Sequence, residues 1–235
     1  MARKLLFVLT SNHKLGDTGR KTGGHAEEIA TPYYLLQDAG FEVEFASPQG
    51  GEAPLDAVSA RGENAQSVER LLDDQYAMDK LKLTKRLDQV LAEGYLAVYL
   101  PGGHGTMWDL PNDARLGQLL AGMVEAGKPV AAVCHGPAGF VGATRADGAP
   151  LVKGKTVNCF SDAEEKAVEL DGVVPFLLET KLRELGAKVE TADKFTQKVV
   201  EDGNLLTGQN PMSAQPLAER LRDRLKGADT AEKAA

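Results

Sequence analysis

One cysteine in this chain stands where a thiol can act as a nucleophile. Cys134 closes the apolar run 129–133 (PVAAV) and leads directly into His135, Gly136, Pro137, Ala138 and Gly139. A strand ending in a small-residue turn that opens a helix is the setting of a nucleophile elbow, in which the turn lifts one side chain above a sheet. Gly136 brings no Cβ to so tight a turn, and Pro137 suits a first helical turn, where its missing N–H goes unused anyway. Sulfur beside a helix N-terminus is expected to favour the thiolate, below the ordinary value of about 8.5. A lone apolar cysteine is ordinarily a small core hydrophobe; the elbow reverses that reading for Cys134. Cys159, in the stretch 156–160 (TVNCF) with no turn after it, keeps the core role.

Two further segments offer groups to such a nucleophile. The first, 100–105 (LPGGHG), places Gly102 and Gly103 at a strand end. It is either a plain glycine turn or a loop whose bare amides face a developing oxyanion. His104 and Trp108 follow closely and are expected to line the pocket, the alternative being loop residues that cover the core. The second, 23–32 (GGHAEEIATP), opens a helix. Acids in a first turn are by default partners of the helix dipole, so a catalytic role for Glu28 needs support from elsewhere. His13 and His25 read as loop residues, His25 being close in sequence to Glu28.

The elements that must position these groups alternate between short apolar runs and helical stretches. Residues 4–10, 42–47, 95–100 and 129–133 read as strands, each bounded by Gly or Pro or by polar residues. Nearly continuous apolar runs suit a parallel sheet covered on both faces. Helices are expected over 26–39, 112–126 and 136–144, the first two stopped by Gly40 and Gly127. The alternation predicts an α/β doubly wound, mostly parallel sheet of flavodoxin-like type with helices on both faces. Its chemistry should gather at the carboxyl ends of the strands. Helical insertions are expected over 67–93 and 162–186, as a small cap or a dimer surface. Strands at 188–191 and 198–206 and a helix over 213–225 complete a single domain, 1–226. Residues 227–235 (GADTAEKAA) read as a frayed tail.

The chain of 235 residues is long enough for one sizeable core. With 43% apolar and 26% charged residues it falls in the globular range. The net charge of −7, without a dense basic cluster, argues against nucleic acid or an anionic membrane as partner. The apolar run at 5–10 is shorter than the ~7–15 residues of a signal-peptide core, and no stretch reaches the ~18–20 of a membrane span. Two cysteines make no disulfide framework in a chain of this size, so free thiols in a reducing, cytoplasmic setting are expected.

Taken in order, E-E-I-A-T-P, L-P-G-G-H-G and A-V-C-H-G-P-A resemble the ThiJ/PfpI superfamily, related in fold to class I glutamine amidotransferase domains. The similarity spans nearly the whole chain, to the T-G-Q-N-P-M-S-A stretch at 207–214. It is nearest to the branch of glutathione-independent glyoxalases (glyoxalase III) and stress-induced holding chaperones. The resemblance implies Cys134 as nucleophile with His135 beside it, Glu28 as the carboxyl group touching the thiol, and Gly103 with the His135 amide as the oxyanion site. It implies an acid orienting His135 in the stretch 160–165, which both Asp162 and Glu165 satisfy. No downstream H-P-E-type motif follows, against a glutaminase. Residues 33–37 hold no histidine for the metal site of some chaperone members, so no metal is expected. The activity implied is conversion of methylglyoxal or a similar 2-oxoaldehyde to a 2-hydroxy acid by a homodimer without a cofactor. A holding chaperone and a cysteine hydrolase or protein deglycase are the alternatives. The lack of a P-loop or dinucleotide fingerprint agrees with a cofactor-free reaction.

Overall fold

The computed structural model describes residues 3–61 and 65–234, with side chains through residue 228. In chain order its elements are β1 (Lys4–Val8), α1 (Ala26–Asp38), β2 (Glu42–Ser47), α2 (Gln66–Asp73), α3 (Gln75–Lys82) and β3 (Lys85–Arg86). There follow β4 (Ala97–Leu100), α4 (Thr106–Asp109), α5 (Ala114–Glu125), β5 (Val130–Val133) and β6 (Thr156–Val157). The last are α6 (Asp162–Ala167), α7 (Leu178–Glu184), β7 (Lys188–Val189), β8 (Val199–Asp202), β9 (Leu205–Gly208) and α8 (Ala214–Ala234).

Seven strands form one sheet in the order β3-β2-β1-β4-β5-β9-β8. All neighbours are parallel except β8 and β9, which form an antiparallel edge hairpin. Side chains alternate across each strand, yet both faces are apolar. Leu5 and Phe7, Ala97 and Tyr99, and Ala131 and Val133 enter one core; Leu6 and Val8, Val98 and Leu100, and Val130 and Ala132 enter the other. This double burial explains why the strand runs carry no polar alternation. The first core is closed by α1 and α8 through residues such as Tyr33, Leu36, Leu217 and Leu221. The second is closed by α5 and α7 through Leu116, Leu120, Leu178 and Leu182. The α/β doubly wound architecture is therefore present, with α2 and α3 as the first insertion and α6 and α7 as the second.

Three elements differ from the sequence expectation. The stretch 136–144 holds a short 3₁₀ segment, Gly136–Phe140, rather than an α-helix. The stretch 198–206 divides at Gly203 into the β8–β9 hairpin, while β7 pairs with β6 in a separate two-stranded sheet. The last helix runs on to Ala234, through most of the stretch read as a tail; Ala, Glu and Lys there are strong helix formers. Among the described residues no helix is long and apolar enough to cross a membrane.

The chain passes from β1 to β2 on one side of the sheet and continues from β4 to β5 on the other. A crevice opens at that switch, outside the carboxyl ends of the strands. Into it project the start of α1 after β1, the glycine turn after β4 and the elbow after β5.

Candidate functional site

Cys134 adopts φ = 58°, a left-handed conformation that L side chains avoid. Such strain costs about 1–3 kcal/mol and persists only where surrounding structure enforces it. Here the Cys134 amide donates to the Gly208 carbonyl at 2.9 Å, and the Phe160 amide donates to the Cys134 carbonyl at 2.8 Å. Two residues on, only glycine fits: a Cβ on Gly136 would stand 2.1 Å from the Leu100 carbonyl oxygen. The elbow is thus clamped between β4, β9 and the strand end that carries it.

The expected fall in thiol pKa does not occur. Only a five-residue 3₁₀ segment follows the elbow, and the sulfur is nearly sealed, at 4% exposure of the residue. Burial first, then the charge of the Glu28 carboxyl, push the Cys134 thiol well up. Neutral Cys134 therefore needs a base.

His135 supplies one. Its Nε2 lies 2.7 Å from Glu165 Oε2, and His104 Nε2 lies 2.8 Å from Glu165 Oε1. Burial alone would raise the Glu165 carboxyl, but the two histidine contacts outweigh it and hold the group at about 2. An ionised carboxylate only accepts, so both Nε2 atoms carry the protons. That tautomer leaves His135 Nδ1 as an acceptor, 3.3 Å from Cys134 Sγ. Burial keeps His135 from charging readily in the ground state. The result is a Cys134–His135–Glu165 chain in which an acceptor nitrogen faces the sulfur and a carboxylate holds the other side of the ring.

Glu28, near the start of α1, is wholly buried. The Gly102 amide donates to its Oε2 at 2.7 Å, and its carboxyl lies against the Cys134 thiol, each group shifting the other. Burial, only partly offset by these bonds, lifts Glu28 to about 8, so it carries a proton at neutral pH. Pro32, one helical turn later, cannot donate to the Glu28 carbonyl and loosens the helix at this point.

Several expected assignments change here. Asp162 does not reach His135: its Oδ2 accepts from the Thr180 hydroxyl at 2.5 Å and ties α6 to α7. Gly102 is not an open oxyanion donor, because its amide is committed to Glu28. Gly103 is better placed, with φ = 102°, a position on the pocket wall and no acceptor for its amide among the described residues. The His135 amide faces the Cys134 sulfur. Trp108 packs beside Gly16 and against the second core and is not a wall of the pocket. His104 does line the pocket, and its bond to Glu165 is a role the sequence reading missed. Cys159 is wholly buried in the second core.

The pocket leading to Cys134 has a volume of about 350 Å³. Phe160, Phe195, Leu170 and Met212 give it apolar walls, while His25, Ser59 and Arg20 add polar groups. His104, His135 and Glu165 present ligand atoms within 4.8 Å of one another, a spacing a metal ion could use. The Nε2 of each histidine there is already paired with a carboxylate oxygen of Glu165.

Three outcomes test this geometry. Because Cys134 opens onto the pocket and Cys159 does not, iodoacetamide and mild peroxide should modify Cys134 first. Peptide mass spectrometry finding Cys159 modified first would contradict it. Glu165→Gln should lower turnover by about 10–100-fold, the usual worth of a partner that orients a functional histidine, whereas Asp162→Asn should leave it nearly unchanged. Glu165 is also held below its unfolded value, so its stabilising contribution is present above pH 4.5 and is lost as pH falls towards 2. Thermal melts below pH 4.5 should show a wild-type decline that is shallower in Glu165→Gln.

Fold and site together define an α/β protein of the cysteine-elbow type. The chain belongs to the DJ-1/PfpI family, whose profile matches residues 22–223. It is 32% identical to the glutathione-independent glyoxalase HSP31 of Saccharomyces cerevisiae, over 95% of this chain and 98% of that protein. It is 29% identical to the protein/nucleic acid deglycase HchA of Pseudomonas aeruginosa, over 84% of this chain and 71% of that one. The crystal structure of glyoxalase III from Candida albicans superposes with a TM-score of 0.85 at 28% identity, covering 93% and 95% of the two chains.

Proposed function

We propose that the protein is a glutathione-independent glyoxalase that converts methylglyoxal or a similar 2-oxoaldehyde to its 2-hydroxy acid. The observation that carries this reading is one sulfur flanked by two different proton carriers, neutral His135 at 3.3 Å and protonated Glu28. The isomerisation requires both, because protons must move at sulfur, at oxygen and between two carbons.

As Sγ attacks the aldehyde carbon C1, the thiol proton passes to His135 Nδ1, and the carbonyl oxygen takes the Glu28 proton. The product is a hemithioacetal beside a Glu28 carboxylate. That carboxylate removes the C1 hydrogen; the electron pair forms a C1=C2 bond, and the C2 oxygen takes the proton held by His135. Glu28 then protonates C2 while the C1 hydroxyl returns a proton to His135, leaving a thioester. Water adds to the thioester and gives a proton to Glu28. Collapse expels the thiolate, which regains the His135 proton, and the site is restored. Apart from the proton that water brings, each step uses a proton already in the site, and Glu165 holds His135 ready for its share.

The direct test is incubation with methylglyoxal in the absence of glutathione, with lactate measured. Absence of lactate formation would reject the reading. Deglycation is a second reading, favoured by a pocket roomier than methylglyoxal needs and by an apolar rim of Val58, Phe195 and Met212. It predicts release of adducts from N-acetyl-arginine faster than their spontaneous decay supplies free aldehyde. The same rim is the surface on which a holding activity would rest, and that activity should survive Cys134→Ala. The reading also carries a cytoplasmic homodimer without nucleic-acid partners, checked by light scattering and by fractionation.

A further inference from the structure

His25 was read from sequence as a loop residue, yet it stands at the head of α1 and on the pocket wall. Its Nδ1 and Glu28 Oε1 face each other at 3.8 Å. Both atoms are buried, and neither has a well-formed hydrogen bond. Two orphaned polar atoms side by side are costly unless a function needs them unpaired. The backbone here is rigidly placed: the His25 amide donates to the Gly102 carbonyl at 3.0 Å, and the His25 carbonyl accepts from Ile29. The side chain does not cap the helix, so it has no evident structural task.

Glu28 has a complementary difficulty. It is wholly buried, and the sulfur beside it is all but closed to water. A proton taken from substrate carbon by that carboxylate has no direct route to solvent. His25 stands at both places, with Nδ1 3.8 Å from Glu28 Oε1 and the residue on the pocket wall.

We propose that His25 is a proton relay that connects Glu28 with pocket water during the carbon-to-carbon proton transfer. The proposal rests on the glyoxalase reading above. In the relay, Oε1 passes its proton to His25 Nδ1 while Nε2 releases its own proton to water; the reverse movement returns a solvent proton to Oε1. No net proton or electron is gained. Burial keeps the imidazole neutral, at about 4, despite the opposing pull of Asp56 and with His104 and His135 adding to the lowering. A neutral ring is what a two-way relay requires, since one nitrogen must accept while the other donates.

The experiment runs turnover of methylglyoxal in D₂O and reads deuterium at C2 of the lactate by NMR. Wild type should incorporate solvent deuterium, and His25→Phe should show a several-fold loss of incorporation, with the substrate hydrogen retained. Its melting temperature and Cys134 alkylation rate should match wild type, which a merely structural role for His25 would not allow alongside a changed isotope ratio. Equal deuterium content in wild type and His25→Phe, or complete hydrogen retention in wild type, would overturn the relay. A second arm does not depend on turnover: ¹⁵N NMR of the His25 ring should show its Nδ1 signal moving in Glu28→Gln. An unmoved signal counts against the relay. A wild type that makes no lactate rejects the glyoxalase reading, and the ring signal then decides the relay by itself.

Discussion

Cys134→Ser should lower 2-oxoaldehyde turnover by at least ~10³-fold while leaving the fold intact, within the range seen when a nucleophile is removed from a catalytic triad. The reason lies in the proton balance at the elbow. His135 is a neutral, buried base whose Nδ1 takes a proton from sulfur. A serine hydroxyl is far less acidic than even a buried thiol, so the same base cannot generate the nucleophile at useful rates. Serine fits the strained backbone, because the φ of 58° is enforced by Gly208 and Phe160 through main-chain bonds. Cys159→Ala is the matched control. It removes a sulfur packed in the second core and should cost roughly 1–2 kcal/mol of stability, with turnover essentially retained. Steady-state lactate formation together with melting curves distinguishes the two. Near-wild-type turnover in Cys134→Ser would end the covalent mechanism.

The sequence held more of the framework than of the chemistry. The run 42–47 is the observed β2 to the residue, and 26–39 is α1 within one residue. Those segments are short, apolar and punctuated, so local pattern and tertiary burial agree. The helix placed over 136–144 failed because the chain there packs under the Leu100 carbonyl and turns tightly, a constraint imposed by β4 and not by local propensity. The strand placed over 198–206 carried its own correction in Gly203-Asn204, the two-residue loop between β8 and β9 and a pair suited to a tight hairpin turn. At the site, turn chemistry made the elbow at Cys134 legible, while the parts given to His135 and Gly103 came from the family resemblance. The choice between Asp162 and Glu165 could not be made in one dimension. It depends on Thr180 and Glu179 of α7 engaging the start of α6, which turns Asp162 away from the elbow. The place of His104 on the pocket wall was legible from its position after the glycine turn, but its bond to Glu165 and the pairing of His25 with Glu28 were not, since they depend on groups distant in sequence or hidden by burial. The thiol pKa was misjudged for the same reason. Placement at a turn can be read from residue types, whereas exclusion of water depends on every element that closes the pocket.

Glu28→Gln should lower turnover by about 10²–10⁴-fold, the usual worth of a general acid–base, and should stabilise the protein at neutral pH. The second effect separates the two roles open to this residue. An acid in a first helical turn that serves only the helix dipole contributes stability, and its removal costs about 0.3–1 kcal/mol. A wholly buried carboxyl lifted from 4.5 to about 8 does the opposite. Its native state keeps a proton that the unfolded chain releases above pH 4.5, so its contribution is fully present below that value and is lost as pH rises through 8. Glutamine has no proton to lose, and it can still accept from the Gly102 amide that now bonds Oε2 at 2.7 Å. The unfolding free energy of Glu28→Gln should therefore match wild type near pH 4 and exceed it increasingly up to pH 8, by on the order of 1 kcal/mol per pH unit in that window, with the melting temperature rising in parallel. Alkylation of Cys134 should become easier above about pH 8, where wild-type Glu28 ionises and its charge raises the thiol. A loss of stability at pH 7, with turnover within a few-fold of wild type, would return Glu28 to the helix dipole and leave His135 to move the carbon-bound proton.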